Sequence, residues 1–508
     1  ERIGMSIRTA DLVVIILYML GTAAIGIYFS KRNNNTEEYF LGGRNFPGWA
    51  IGLSMIGTSI SSITFLALPA AAFVLDWRQS TTYLTLPLIC ALAVLFFIPI
   101  FRKKKITSAY QYLEARFGKW SRVYGSFCFL LGECLRLGTV LFLLSIPVSL
   151  MTGININIVI VVAGLFIAFY TIAGGIDAVI WTDVIQSFVL WAGGLFVIIF
   201  MLFNIPGGFT KIVNTGMEFN KFSFGPLDFD LKQRTFYVLL IMGCFSWMYM
   251  YTANQNVVQR YLAAKSTREA RKATIICAFG SLPTWFAFYF IGTCLFVYFR
   301  VFPDDAVGKM ASDEVFPYFI LNYLPAGISG LIIAGVLAAA MSSLDSSLNS
   351  FSAICTTDIL RRFIAPHKPE KFYIMWAKLF SGVAMILMIV GALIFANIDK
   401  ESMFDLGFIM GGLHVALVLG FFVLGFFCPF VGKRSVWVGF ACAFATNIYL
   451  VLCYYDLLPK FLDLPVHIYW NSVICKTMMI VVAIAVALIF PEKNIATGEE
   501  DLPENAPA

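Results

Sequence analysis

"AAAMSSLDSSLNSFS", Ala338 to Ser352, follows directly on the apolar run "GISGLIIAGVLAAA". Together they read as one membrane-length helix whose second half carries hydroxyls and a carboxylate where lipid would demand hydrocarbon. At about 100° per residue, Ser342, Ser343, Asp345, Ser346, Ser347, Asn349 and Ser350 cover about 200° of the helix surface, while Leu337, Met341, Leu344 and Leu348 fall on the other side. The polar face must look onto protein or a water-filled cavity, because polar groups left bare in hydrocarbon are strongly disfavoured.

The rest of the chain is of the same kind. Of its 508 residues, 59% are hydrophobic, 16% aromatic and 13% charged, with a mean hydropathy of +0.82. That composition marks an all-α integral membrane protein. Apolar runs of about 20 residues, long enough to span a bilayer as helix, recur throughout. Thirteen are expected, at 11–30, 47–76, 82–101, 123–151, 155–173, 180–204, 236–258, 273–299, 326–358, 373–396, 404–430, 435–456 and 469–490. They lack the in–out alternation of a transmembrane β-barrel.

Charge sets the orientation. With the N-terminus outside, the inner side receives Lys31, Arg32, Arg44, "FRKKK" (101–105), Arg116, Lys119, Arg122, "QRYLAAKSTREARKA" (259–273), "RRFIAPHKPEK" (361–371) and "GKRS" (432–435). This is roughly twice the Lys and Arg of the outer loops, as the positive-inside rule requires. The basic runs are therefore read as topology, with no nucleic acid partner. The expected location is the plasma membrane, in a bacterium the inner membrane, with the C-terminal tail 491–508 inside. The first span has no cleavage site after a short apolar core and is read as a retained helix. The eleven cysteines show no metal-ligand or CxxC spacing. No GxxxxGK[ST] stretch supplies nucleotide-driven pumping.

Two spans are interrupted by small and polar residues. "GLSMIGTSISSITF" (52–65) collects Gly52, Ser54, Gly57, Thr58, Ser59, Ser61, Ser62 and Thr64; "GCFSWMYMYTANQNVVQ" (243–259) collects Gly243, Ser246, Thr252, Asn254, Gln255 and Asn256. Broken helices at matching places in two successive five-helix units point to an inverted-repeat transporter with its site at the midplane. Small residues also serve as packing glue between membrane helices.

Hydroxyl and carbonyl oxygens with a carboxylate suit a hard monovalent cation, Na⁺, whereas soft metals would call for thiolate or imidazole. A single serine can instead bond back to the preceding turn. Asp183, in "IWTDVIQ", is a second intramembrane carboxylate or a helix N-cap. In "GECLRLGTVLF" (132–142), Glu133 and Arg136 share a helix face: they neutralise each other, or Arg136 clamps a substrate carboxylate. His414 is the one histidine well inside a span, and it stands without a nucleophile context, so an embedded enzyme is disfavoured.

The chain resembles the sodium:solute symporters, the family of sodium-glucose, proline, pantothenate and sialic acid carriers. The likeness rests on "EEYFLGGRNFPGWAIGLSMIGTSISSITFLALPA" (37–70), "ITSAYQYLEARFG" (106–118), "GGIDAVIWTDVIQ" (174–186), "NQNVVQRYLAAKS" (254–266) and "GLIIAGVLAAAMSSLDSSLNSFS" (330–352), and it runs over nearly the whole chain. It implies a leucine-transporter type five-plus-five inverted repeat: an extra helix 11–30, a first repeat 47–204, a second repeat 236–430 and two added helices over 435–490.

It also implies residues. The principal sodium site would use the carbonyls of Gly57, Ile60 and Ala339 with the hydroxyls of Ser342 and Ser343. A second cation site would draw on Asp183, Ser342, Asp345 and Ser346, with Asp345 an unusual carboxylate where a hydroxyl is expected. The sialic acid branch is matched at Ser61, Thr64 and Arg136, and the substrate set is completed by Ser59, Gln79 and Tyr83. Phe65, Phe73, Tyr249 and Tyr251 are candidate gates or plain packing. The expectation is a Na⁺-coupled importer of a sialic acid or related carboxylated sugar. A neutral sugar or small monocarboxylate is the alternative. Na⁺, the solute and the bilayer are the expected partners, without an organic cofactor or an obligate protein partner.

Overall fold

The computed structural model describes residues 8–29, 35–103, 106–398, 416–455, 457–459, 464 and 470–492. Its elements are helices: α1 (Thr9–Phe29), the broken pair α2 (Gly48–Ser59) and α3 (Ser62–Val74), α4 (Arg78–Arg102), and the short α5 (Ala109–Phe117). Next come α6 (Lys119–Thr152), α7 (Ile156–Asn204), and a second broken pair, α8 (Phe236–Thr252) and α9 (Gln255–Leu262). The other long helices are α10 (Thr267–Val301), α11 (Ile328–Ile354), α12 (Glu370–Asn397), α13 (Ala416–Phe427), α14 (Lys433–Tyr454) and α15 (Trp470–Ile489), and short helices over Thr36–Leu41, Gly208–Glu218 and Ser312–Tyr323 lie between them.

Among the described residues, nine helices are long and apolar enough to cross a membrane, or eleven when each bent pair counts as one span. The expected count of thirteen differs for two reasons. Spans 155–173 and 180–204 are joined in α7, which turns at Gly175 (φ 59°, ψ −155°), a conformation reserved for glycine. A Cβ there would lie 2.9 Å from both the Tyr39 ring and its carbonyl oxygen. The span expected at 404–430 is described only from Ala416, and the expected His414 lies outside the described residues.

The two breaks fall where the polar runs predict them. α2 and α3 meet at 52° and α8 and α9 at 47°. At the first, Ile60 (φ −104°, ψ 103°) and Ser61 (φ −102°, ψ 178°) are extended, so carbonyls at the end of α2 lose their helical donors. At the second, the Asn254 side chain accepts the Asn256 N–H at 2.9 Å and caps α9.

α11 is the hub. Its most extensive interface is with α7, and it also packs on α1, α2, α6 and α12. Nearly every one of its residues is buried, on the polar face and the apolar face alike. The opening stretch is thus neither lipid-facing nor at the surface, and its hydroxyls must find partners inside the protein.

Candidate functional site

The broken end of α2 lies against the middle of α11. Ser343 Oγ donates to the Thr58 carbonyl at 3.3 Å. Gly57 approaches so closely that a Cβ would sit 2.8 Å from Ser342 Oγ and 3.2 Å from Ser187 Oγ. Glycine is what allows these oxygens to reach the backbone. Ala339, one turn before Ser343 on the same helix, and Ile60, at the break itself, are both buried. A backbone carbonyl and serine hydroxyls thus meet in a buried junction of α2 and α11, the oxygen chemistry a hard monovalent cation takes.

One turn along, the α11 hydroxyls meet an ion pair. Asp183 Oδ1 accepts from Ser342 Oγ at 2.5 Å; its Oδ2 accepts from Ser54 Oγ at 2.5 Å and from Arg260 Nη2 at 2.8 Å. Arg260 also donates to Ser54 Oγ at 2.8 Å and, through Nη2, to Ser346 Oγ. Ser346 lies 3.0 Å from Thr58 Oγ1. Asp183 and Arg260 are both fully buried, and each supplies the opposite charge the other needs.

This corrects two expectations. Arg260 falls within the run "QRYLAAKSTREARKA" taken as an inner-loop signal, yet it sits inside the bundle on α9. Asp183 does not cap a helix start; it lies within α7, well past the Gly175 turn. The missed signal is that an intramembrane carboxylate requires a cation, and the nearest arginine past a helix break is the natural supplier.

Asp345 takes different partners from the other three members of the expected second cation set. Tyr170 donates its hydroxyl to Oδ1 and Oδ2 at 2.7 and 2.6 Å, and Thr171 Oγ1 donates to Oδ1 at 2.8 Å. Asp183, Ser342 and Ser346 share one network; Asp345 ties α11 to the first half of α7. The polar face continues to Gln259, which donates to the Asn349 side chain and the Phe40 carbonyl at 2.7 Å each and accepts from Ser350 at 2.8 Å. Gln259 was another residue the sequence reading did not single out.

The residues expected to face substrate spread over the first broken pair, the start of α4 and α6. Arg136 is partly exposed, with Nη1 3.7 Å from Glu133 Oε1. Ser59 bonds back to the Met55 carbonyl at 2.8 Å and lies 4.0 Å from Cys277 Sγ, which the Tyr251 hydroxyl reaches at 3.8 Å. Ser61 precedes α3 and Thr64 is buried in its first turn. Tyr83 stacks on Trp285 at 4.3 Å between ring centroids, and Trp247 is 5.1 Å from Trp285. Gln79 is exposed in the turn that opens α4.

Of the candidate gates, Phe65 is buried between Phe288 and Phe316, at 4.8 and 5.6 Å, Phe73 meets Phe296 at 6.4 Å, and Tyr249 is half-buried. Cys277, Trp247 and Trp285 are thus part of this region and were not expected there.

The model of the sodium:solute symporter family matches residues 39–439. The sodium/sialic acid symporter SiaT of Proteus mirabilis is 33% identical over 499 residues, covering 96% of this chain and 97% of the relative. The sodium/sialic acid symporter NanT of Aliivibrio fischeri is 31% identical over 449 residues, covering 88% of each chain. Among solved structures, a Na⁺-coupled sialic acid symporter in a substrate-bound, outward-open state, in which a novel Na⁺ site was found, superimposes with a TM-score of 0.88 at 32% identity. The match covers 96% of this chain and 99% of that one.

Proposed function

The chain belongs to the sodium:solute symporter family, and we propose that it imports a sialic acid together with Na⁺ by alternating access. The observation that carries this reading is the contact between the broken end of α2 and the serine face of α11: Ser343 Oγ on the Thr58 carbonyl, and Ser342 against Gly57. A cation placed among the carbonyls of Gly57, Ile60 and Ala339 and the hydroxyls of Ser342 and Ser343 binds both helices at once. It therefore favours the conformation in which they touch. The solute, bound between the broken pairs, favours the same conformation, and two ligands that select one state raise each other's affinity.

Arg136 is the residue for the acid's carboxylate, because its guanidinium is partly exposed and held by only a long contact to Glu133. Ser59, Ser61, Thr64, Gln79 and Tyr83 complete the solute site in this reading, with Phe65, Phe73, Tyr249 and Tyr251 as gates. Of the second cation set, Asp183, Ser342 and Ser346 share one network, which Arg260 joins through Asp183, while Asp345 is held apart by Tyr170 and Thr171. A second Na⁺ there has to draw the carboxylate away from a guanidinium. The plan carried with this reading is two repeats over 47–204 and 236–430, in a plasma membrane, with the N-terminus outside and the C-terminus inside. The basic loops support that orientation.

The test is uptake of N-acetylneuraminic acid into proteoliposomes. Saturable uptake that needs an inward Na⁺ gradient is expected, and Arg136→Ala should reduce it about a hundredfold or more, the loss of a bidentate charge-assisted contact to the acid. Equal uptake in Na⁺-free buffer contradicts the reading.

A further inference from the structure

Glu133 is bound to the wrong partner for a simple ion pair. Its Oε1 accepts from Asn256 Nδ2 at 2.9 Å, a good hydrogen bond, while Arg136 stays 3.7 Å from that same oxygen. Its other oxygen, Oε2, is buried with no partner among the described residues, and so is Asn256 Oδ1. A carboxylate and a guanidinium three residues apart on one helix can form a two-point contact. Here the free oxygen and the long distance show that this contact is not made, and that Asn256 holds the carboxylate instead.

Asn256 is well placed to decide the matter. It lies in the first turn of α9, just past the break, and its backbone carbonyl accepts from Arg260 Nη1 at 2.9 Å. Arg260 in turn holds Asp183, which holds Ser342. A continuous chain of hydrogen bonds therefore runs from the serine face of α11 to Glu133, one helical turn from Arg136.

We infer that Glu133 is a built-in competitor for Arg136, and that Asn256 keeps it away while substrate is bound. While α9 is seated, Glu133 is held by Asn256 and the Arg136 guanidinium is available to an incoming carboxylate. When α9 moves, Glu133 loses Asn256, closes on Arg136 and displaces the substrate's carboxylate. Glu133 and Asn256 are positioning residues that act through Arg136. The inference deepens the proposed function and rests on its assignment of Arg136 to an acidic solute.

The test is a double-mutant cycle on binding of N-acetylneuraminic acid to the purified protein in Na⁺. Asn256→Ala frees Glu133 to pair with Arg136 and is expected to weaken the affinity about tenfold, which is about 1.4 kcal/mol. Glu133→Gln, which keeps the shape and the bond to Asn256, is expected to bind the acid several-fold tighter than wild type and to be turned over more slowly. The double variant should return to within about threefold of wild type.

A merely structural pair differs in two arms: Glu133→Gln also binds more weakly than wild type, and the double variant binds no better than the worse single variant. That result overturns the inference and leaves the proposed function standing. Where Asn256→Ala does not fold, weaker binding by Glu133→Gln alone overturns it. Absence of binding by the wild-type protein overturns both.

Discussion

Arg260 Nη2 stands 2.8 Å from Asp183 Oδ2 with both side chains buried, so α9 and α7 are joined by a salt bridge at the serine face of α11. The pair links the second broken helix to the cation region, and neither charge has water to fall back on. Breaking such a pair from one side costs about 3–5 kcal/mol, because the remaining charge is stranded.

The two single variants, Arg260→Ala and Asp183→Asn, should therefore each lower the melting temperature of the detergent-purified protein markedly. The double variant should be closer to wild type than Arg260→Ala, since it removes the stranded carboxylate charge. Equal, additive losses would show that the two residues act separately.

Asp345 is expected to behave as a tether and not as a sodium ligand of the first rank. Its oxygens are committed to the hydroxyls of Tyr170 and Thr171. Asp345→Ser leaves the buried Tyr170 hydroxyl without its acceptor, while Thr171 keeps the Ile167 carbonyl at 2.8 Å, and should cost about 1–3 kcal/mol of stability. Sodium activation of uptake should keep its wild-type Hill coefficient. A changed coefficient at unchanged stability would place the carboxylate in the cation path.

Outside the spans, Glu114 on α5 takes Arg122 at 2.7 Å and Arg362 at 2.6 Å, fastening α5 to α6 and to the stretch following α11. Burial raises the Glu114 carboxyl, but the two arginines outweigh it and hold it below the usual carboxylate range. A group lowered on folding contributes stability above its unfolded pKa and loses it as pH falls through the folded value. Acid melts of Glu114→Gln should therefore show lower stability at neutral pH and a shallower loss below about pH 5 than wild type. Parallel acid limbs would exclude a contribution from this group.

Much of this was legible in the sequence. The polar half of α11, the two breaks and their positions follow from residues that lipid would not tolerate: Ser342 to Ser350, the run Gly57 to Thr64, and Thr252 to Asn256. The meeting of the first break with the serine face of α11 was expected only from the resemblance to the sodium:solute symporters. What the sequence did not disclose is who pairs with whom. Arg260 looked like one more basic residue of an inner loop, because charge counting along the chain cannot tell a buried arginine from an exposed one. Asp345 shares a helix face with Ser342 and Ser346, but the Gly175 turn brings Tyr170 and Thr171 of α7 to its carboxylate. Cys277, Trp247 and Trp285 carry no pattern that separates them from ordinary packing in a chain with 50 phenylalanines.

The central claim is that the junction of α2 and α11 binds the coupling ion. Its most direct test is the Na⁺ concentration dependence of N-acetylneuraminic acid uptake in proteoliposomes for wild type and Ser343→Ala, whose hydroxyl faces the Thr58 carbonyl at 3.3 Å. The account predicts that Ser343→Ala needs about tenfold more Na⁺ for half-maximal uptake, the loss of one oxygen ligand worth about 1.4 kcal/mol, with the maximal rate restored at high Na⁺. Near-normal sodium activation in Ser343→Ala would contradict it.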